Sequence, residues 1–252
     1  MPGFRLESLR ASKTVSSFRT ALEALLVTLA WKLTIQTIVL FALIAAALFI
    51  PAGTVAWAEG WTFFGLFFVF FLGVSIWLSL RNPGLARERM KLGGSNQEGW
   101  DRILFPIMFI SPLAWLALSA LDAVRFRWSA VPPWVQMLGL LLLLASFLLF
   151  FLVFRENSYL SPMARVQKDR GQKVISTGPY AFVRHPMYLA FIPFMIGTPL
   201  MLGSWFGAAF GALFMVLPAR RAVMEEQMLL ENLEGYGEYM KSVRFRLIPF
   251  VW

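Results

Sequence analysis

The sequence predicts an all-α fold, a polytopic helical bundle embedded in a membrane, and three observations point to it. Of the 252 residues, 58% are hydrophobic and only 15% charged, against about 25% charged in ordinary soluble domains. The apolar residues gather into five blocks, at 33–50, 61–80, 103–121, 134–154 and 187–217. Most of these approach the ~20 residues that a helix needs to cross ~30 Å of hydrocarbon. The third observation is the basic residues, which collect between alternate blocks.

In chain order, residues 1–32 come first. Val15, Phe18, Leu22, Leu25 and Leu29 recur at helical spacing, with Ser16, Arg19, Thr20 and Glu23 turned away. One apolar face of this kind suits an amphipathic helix lying on the cytoplasmic leaflet; a dimerisation face is the alternative. Scattered basic residues and the lack of a short apolar core before a small-residue cleavage site argue against a secretory signal. Residues 33–154 then hold four transmembrane helices. The block 187–217 is too long for one span, and Gly203-Ser204 near its middle predicts a tight helical hairpin, with Pro193 and Pro199 kinking its first arm. Six spans result, or five if that block is a single tilted helix.

Six spans sort the charges. Five Lys and Arg fall in 1–32, five in 81–102, six in 155–184 and five in 220–246, which is 21 of 23 on one side, with Arg125 and Arg127 on the other. Loops rich in Lys and Arg stay cytoplasmic, so both termini and the loops 81–102 and 155–184 are expected there, at the inner or plasma membrane if the source is bacterial. The same distribution explains the net charge of +9 without any nucleic-acid partner.

Several chemistries are excluded by what is missing. With no cysteine and one histidine there is no thiolate nucleophile, no disulfide and no zinc site. No Gly-x-Gly-x-x-Gly follows a strand, no Walker-type loop occurs, and no Gly-x-Ser-x-Gly elbow accompanies the histidine. What the C-terminal third does carry is Gly178-Pro179-Tyr180, then Arg184-His185-Pro186-Met187-Tyr188, and later Arg221-Ala222-Val223-Met224-Glu225-Glu226. Glycine before proline disfavours helix, so 155–184 is a polar loop feeding a helix that starts near Pro186, where proline is tolerated. Taken singly, these residues also suit a basic interfacial flank, tyrosine anchors and an i, i+4 ion pair. Together, charges and a lone imidazole at a bilayer boundary mark a functional site.

The run 178–188, with 221–226, Gly235-Tyr236-Gly237-Glu238-Tyr239 and Arg246-Leu247-Ile248-Pro249, resembles the isoprenylcysteine carboxyl methyltransferase family. That family sits within a wider group that includes phospholipid methyltransferases. The resemblance covers about residues 157–252. It makes 155–252 one catalytic, cofactor-binding region that includes the helical hairpin, with the active site on the cytoplasmic side. It implies a cytoplasmic pocket for S-adenosyl-L-methionine, built from Gln167, Gln172, Lys173, Val174, Ile175, Tyr180, His185, Pro186, Met187, Tyr188 and Glu225. It implies that Arg221 faces the methyl acceptor, given a one-residue gap before Tyr236; without the gap Arg220 takes that place. His185, Arg221 and Glu225 are then the implied catalytic group, His185 contacting the cofactor, fixing the loop or acting as a base. The implied acceptor is a lipophilic carboxylate of the prenylcysteine type, reaching the site from among the membrane lipids. A phospholipid amine or a thiol is the alternative. The C-terminal pattern also resembles NADPH-dependent membrane sterol reductases, and a non-catalytic membrane scaffold is the reading from outside enzymes.

Overall fold

Backbone groups inside hydrocarbon find partners only within a helix or a closed barrel, and the apolar blocks take the first course. The computed structural model describes residues 31, 34–90 and 97–252. Its helices are α1 (Thr34–Ala52), α2 (Ala58–Arg81), α3 (Pro83–Arg89), α4 (Asp101–Ala120, continued by a π-turn over Leu121–Phe126), α5 (Pro133–Glu156), α6 (Pro186–Leu202), α7 (Trp205–Phe214), α8 (Val216–Asn232) and α9 (Tyr236–Ser242). No strand occurs among the described residues. The apolar face expected at Val15, Phe18, Leu22, Leu25 and Leu29 lies outside them. The chain divides into Met1–Leu43 and Ile44–Trp252 as separate compact units, and every candidate site residue belongs to the second.

Among the described residues, five helical stretches are long and apolar enough to cross a membrane, α7 and α8 counting as one, and α6 is a shorter apolar sixth. Their outward faces are apolar too: Val69, Leu80, Leu141 and Leu213 are all exposed, which suits lipid as the surrounding medium. The final block reverses as expected. Gly203, at φ 89°, ends α6 in the left-handed region that glycine alone enters freely, and Ser204 caps α7 by accepting from the Gly207 N–H at 2.8 Å. A single tilted helix over 187–217 is thereby excluded.

Small residues set the helix contacts. A Cβ on Gly139 of α5 would stand 2.4 Å from the Met201 nitrogen, and one on Gly197 of α6 would stand 2.7 Å from the Gly139 oxygen. Backbones this close are typical of helix pairs in membranes, where packing rather than hydrophobicity holds helices together. Around this pair, Phe194 sits at the centre of a ring cluster, 5.8 Å from Trp115, 6.0 Å from Phe150 and 6.1 Å from Phe67. Gly139→Leu is expected to force α5 from α6 and to lower stability beyond the ~1–3 kcal/mol usual for overpacking. Thermal unfolding of the detergent-solubilised variant checks this.

The connections segregate by end. At one end, buried Asp122 accepts from Ser204 Oγ at 2.5 Å and Ser129 Oγ at 2.6 Å, while Arg125 lies over Gly53. At the other end, Asn82 donates to Ser158 Oγ, Glu88 pairs with Arg165, and Asp101 accepts from the Ala164 N–H. The turns after α2 and α5 therefore share an end with the start of α4, an alternation that agrees with the split of basic residues.

Candidate functional site

Helix α8 carries the centre of the site because its sequence is two-faced. Pro218, Arg221, Ala222, Glu226 and Met228 are buried, whereas Arg220 and Gln227 are exposed. Of the two arginines, Arg221 is the one turned inward. Adjacent Glu225 and Glu226 diverge, since successive helix positions do not share a face.

Glu226, 2% exposed, is fully engaged. Arg184 Nε donates to Oε1 at 2.6 Å, Arg246 Nη2 and Nε approach Oε2 at 2.7 and 2.9 Å, and His185 Nε2 lies 3.2 Å from Oε1. Arg184 also donates to the Val243 and Arg244 carbonyls. The backbone N–H groups of Arg184 and His185 donate to Phe245 and Arg246 oxygens, both at 2.9 Å. One carboxylate thus ties the start of α6, the body of α8 and the C-terminal segment together.

Glu225 is more open, its side chain 19% exposed. Tyr188 Oη donates to Oε1 at 2.7 Å, Arg221 Nε lies 3.2 Å from the same oxygen, and His185 Nδ1 stands 3.7 Å from Oε2. That last distance exceeds a hydrogen bond, so His185 bonds Glu226 and only faces Glu225. Its ring stacks on Tyr188, with centroids 5.7 Å apart. Pro186 is buried at the first position of α6, as expected of a helix-start proline. Arg221 makes two further contacts, to Asp101 Oδ1 at 3.0 Å through Nε and to the Pro162 carbonyl at 2.8 Å through Nη2.

Val174, Ile175, Tyr180 and Met187 meet in one cluster with Tyr236, Tyr239 and Leu229. Tyr180 is oriented on both sides: Tyr239 Oη donates to its carbonyl at 2.7 Å, and Asn157 Nδ2 to its hydroxyl at 2.8 Å. Asn157 is itself fixed, because its Oδ1 accepts from the Tyr159 N–H. Burial raises the Tyr180 and Tyr239 phenols well above their ordinary range, so both stay protonated donors. Glycine at 178, at φ 57° and against Glu156, allows the turn that brings Tyr180 inward.

The loop residues play a different part. Gln167 is fully buried, and its amide is spent on the Tyr159 carbonyl and Arg170, both at 2.5 Å. Gln172 accepts from the Gln167 N–H at 2.7 Å. These two shape the loop, and Lys173 is exposed beside it. A shallow groove of about 260 Å³ runs between the loop and α8, lined by Glu98, Val166, Lys168, Asp169, Met228 and Asn232. A second, of about 300 Å³, lies at the far end beside Glu59, Arg127 and Gln136. Neither is lined by His185, Tyr188 or Glu225, whose side chains pack against one another.

Asp101, Asn157 and Arg246 were not singled out as site residues from sequence. Asp101 carried one available signal, an acidic residue at the threshold of an apolar block.

Residues 137–231 match the sequence model of the isoprenylcysteine carboxyl methyltransferase family. Among curated proteins, protein-S-isoprenylcysteine O-methyltransferase B of Arabidopsis thaliana is 26% identical over 148 residues, which span 57% of this chain and 72% of that protein. The matched stretch takes in α6 to α8 and the loop before them, where the geometry above is concentrated.

Proposed function

We propose that this chain, whose residues 137–231 match the isoprenylcysteine carboxyl methyltransferase family, is an integral membrane enzyme that moves a methyl group from S-adenosylmethionine to a lipophilic carboxylate. The observation that supports this most is the pairing of Glu225 with Arg221, a partly open carboxylate beside a guanidinium with donors to spare. Both sit on a helix that is continuous with a membrane-crossing segment.

The residues present fit the donor molecule. Arg221 stands between two carboxylates, Asp101 and Glu225, so this corner carries one negative charge in excess and favours a cationic ligand. Glu225 would hold an ammonium. The tyrosine cluster offers ring faces to a cation, Tyr180 a hydroxyl hydrogen with no acceptor among the described residues, and Lys173 an exposed charge for a carboxylate. Gln167 and Gln172 would keep the loop in shape, and His185 would fix Glu226 and face Glu225. Because these side chains pack together, ligand access requires the 166–177 part of the loop to lift from α8, along the groove at Val166 and Met228.

When bound, S-adenosylmethionine would supply an electrophilic methyl on its sulfonium: the deprotonated acceptor carboxylate would form the O–CH3 bond as the CH3–S bond breaks, and the neutral thioether would leave with the electron pair. The protein's share is orientation, which can account for about 7–11 kcal/mol of a barrier. Arg221 would grip the acceptor carboxylate in a charge-assisted fork, Glu225 would steady the other reactant one helical turn away, and the buried tyrosines would exclude water. No general base is called for, so His185 acts as a positioning group.

A carboxylate acceptor uses the Arg221 fork at the reacting group itself, whereas a thiol would leave it idle and a phospholipid amine would engage it only through its phosphate. A 2′-phosphate reader of NADPH would want free cations here, yet Arg184 and Arg246 are committed to Glu226, and Arg165 to Glu88. Calorimetric titration of the purified protein tests the donor: S-adenosylmethionine is expected to bind and NADPH not to. NADPH binding alone would overturn the proposal. The basic end should face the cytoplasm, where the donor is made; cysteines placed at Ser176 and Ala130, labelled from outside intact cells, should react at Ala130 only.

A further inference from the structure

Asp101 lies at the first position of α4 and is fully buried. Its Oδ2 accepts from the Ala164 N–H at 2.8 Å and from Gln97 Nε2 at 3.0 Å. Its Oδ1 faces Arg221 Nε at 3.0 Å. That approach is off the hydrogen-bonding line, so Asp101 Oδ1 and Arg221 Nε are buried polar atoms without a directed partner. Buried atoms of this kind are rare and mark strain or function. Meanwhile Arg221 Nη2 donates to the Pro162 carbonyl, two residues from the Ala164 N–H that Asp101 holds. The stretch 162–164 is therefore gripped twice, once by each member of the ion pair. Arg221 Nη1 has no protein partner among the described residues.

We propose that Asp101 is a positioning residue that clamps the 162–164 stretch onto Arg221 and so presents the Nη1 edge of that guanidinium to the acceptor's carboxylate. The proposal rests on Arg221 binding the acceptor. Asp101 supplies what Glu225 cannot, because Glu225 is shared with Tyr188 and with the donor. With Asp101 neutralised, Arg221 loses one of its two carboxylate partners, and its guanidinium is no longer held in one place against the 162–164 stretch and toward the acceptor, so its terminal nitrogens open to reagents. The acceptor should then bind worse while the donor binds as before.

Asp101→Asn tests this, since the amide keeps an acceptor for the Ala164 N–H while losing the charge. Two readouts are needed. The first is the rate at which phenylglyoxal modifies individual arginines, read by mass spectrometry. Arg221 should react at least tenfold faster in the variant, with Arg184 and exposed Arg220 unchanged. The second is steady-state methylation of an N-acylated S-farnesyl cysteine: KM for this acceptor should rise at least tenfold, with kcat and the S-adenosylmethionine Kd within about twofold of wild type. Unchanged Arg221 reactivity would overturn the proposal, as would faster reaction of all three arginines with a lowered Tm, the signature of a packing role. If wild type fails to methylate the farnesyl cysteine but Arg221 alone becomes reactive in the variant, the positioning stands and the carboxylate-acceptor reading falls.

Discussion

Glu226→Ala is expected to cost about 3–5 kcal/mol of stability, the penalty for breaking a buried ion pair by removing one partner. Two arginines and a histidine converge on this carboxylate, and the side chains of Arg184 and Arg246 are only 8% and 20% exposed. Without Glu226 two positive charges face each other across a small buried space. The backbone pairing of 184–185 with 245–246 would separate with them, freeing the C-terminal segment from α6. At roughly 2–4 °C per kcal/mol for a chain of this size, Tm should fall by about 6–20 °C in a scan of the solubilised protein. A fall of only a degree or two would mean that the cluster contributes little to holding the fold. Glu226→Gln should be milder, since it leaves one acceptor oxygen for Arg184.

The neighbouring position should behave in the opposite way. Glu225→Gln is expected to leave Tm almost unchanged while weakening S-adenosylmethionine binding about 10- to 100-fold, the worth of a hydrogen bond to a charged group at ~1.5–3 kcal/mol. Glu225 is partly open and Tyr188 can still donate to the amide oxygen, so little of the fold depends on its charge. Arg221→Lys complements it. Lysine keeps a positive charge beside Asp101 but loses the planar fork, so turnover should drop at least tenfold with donor affinity intact. Because Arg221 and Glu225 are in contact at 3.2 Å, the double variant should depart from additivity, as neighbouring residues commonly do by ~0.5–3 kcal/mol. Equal loss of donor affinity in both single variants would reduce the pair to a structural ion pair.

The helices and the hairpin were legible in the sequence because each rests on a local rule. A run of about 20 apolar residues has few other fates, and Gly203-Ser204 is both the break and the cap. The motif residues Tyr180, His185, Tyr188, Arg221 and Glu225 were legible as a group because the chain places costly side chains together at an apolar boundary. Their division of labour was not. Glu225 and Glu226 are chemically identical neighbours, and only the approach of Arg184 and Arg246 from other segments makes one structural and leaves the other available. Asp101 lies 120 residues before Arg221, a pairing that no spacing rule reports. Gln167 drew notice as a polar loop residue, but its amide turns back into the loop, where the Tyr159 carbonyl and Arg170 take both of its ends.

The most direct measurement is methyl transfer itself, with the chemistry of the product read out. Membranes containing the protein are incubated with S-adenosylmethionine labelled in its methyl group and with an N-acylated S-farnesyl cysteine, and the lipid extract is then treated with mild base. A carboxyl methyl ester releases its label as volatile methanol under these conditions, whereas N-methyl and S-methyl products keep theirs. Label should enter the extract with wild-type protein, fall at least tenfold with Arg221→Lys at matched expression, and leave quantitatively as methanol. Label that stays in the extract after base would contradict a carboxylate acceptor, and no incorporation into any lipid would contradict the methyltransferase assignment.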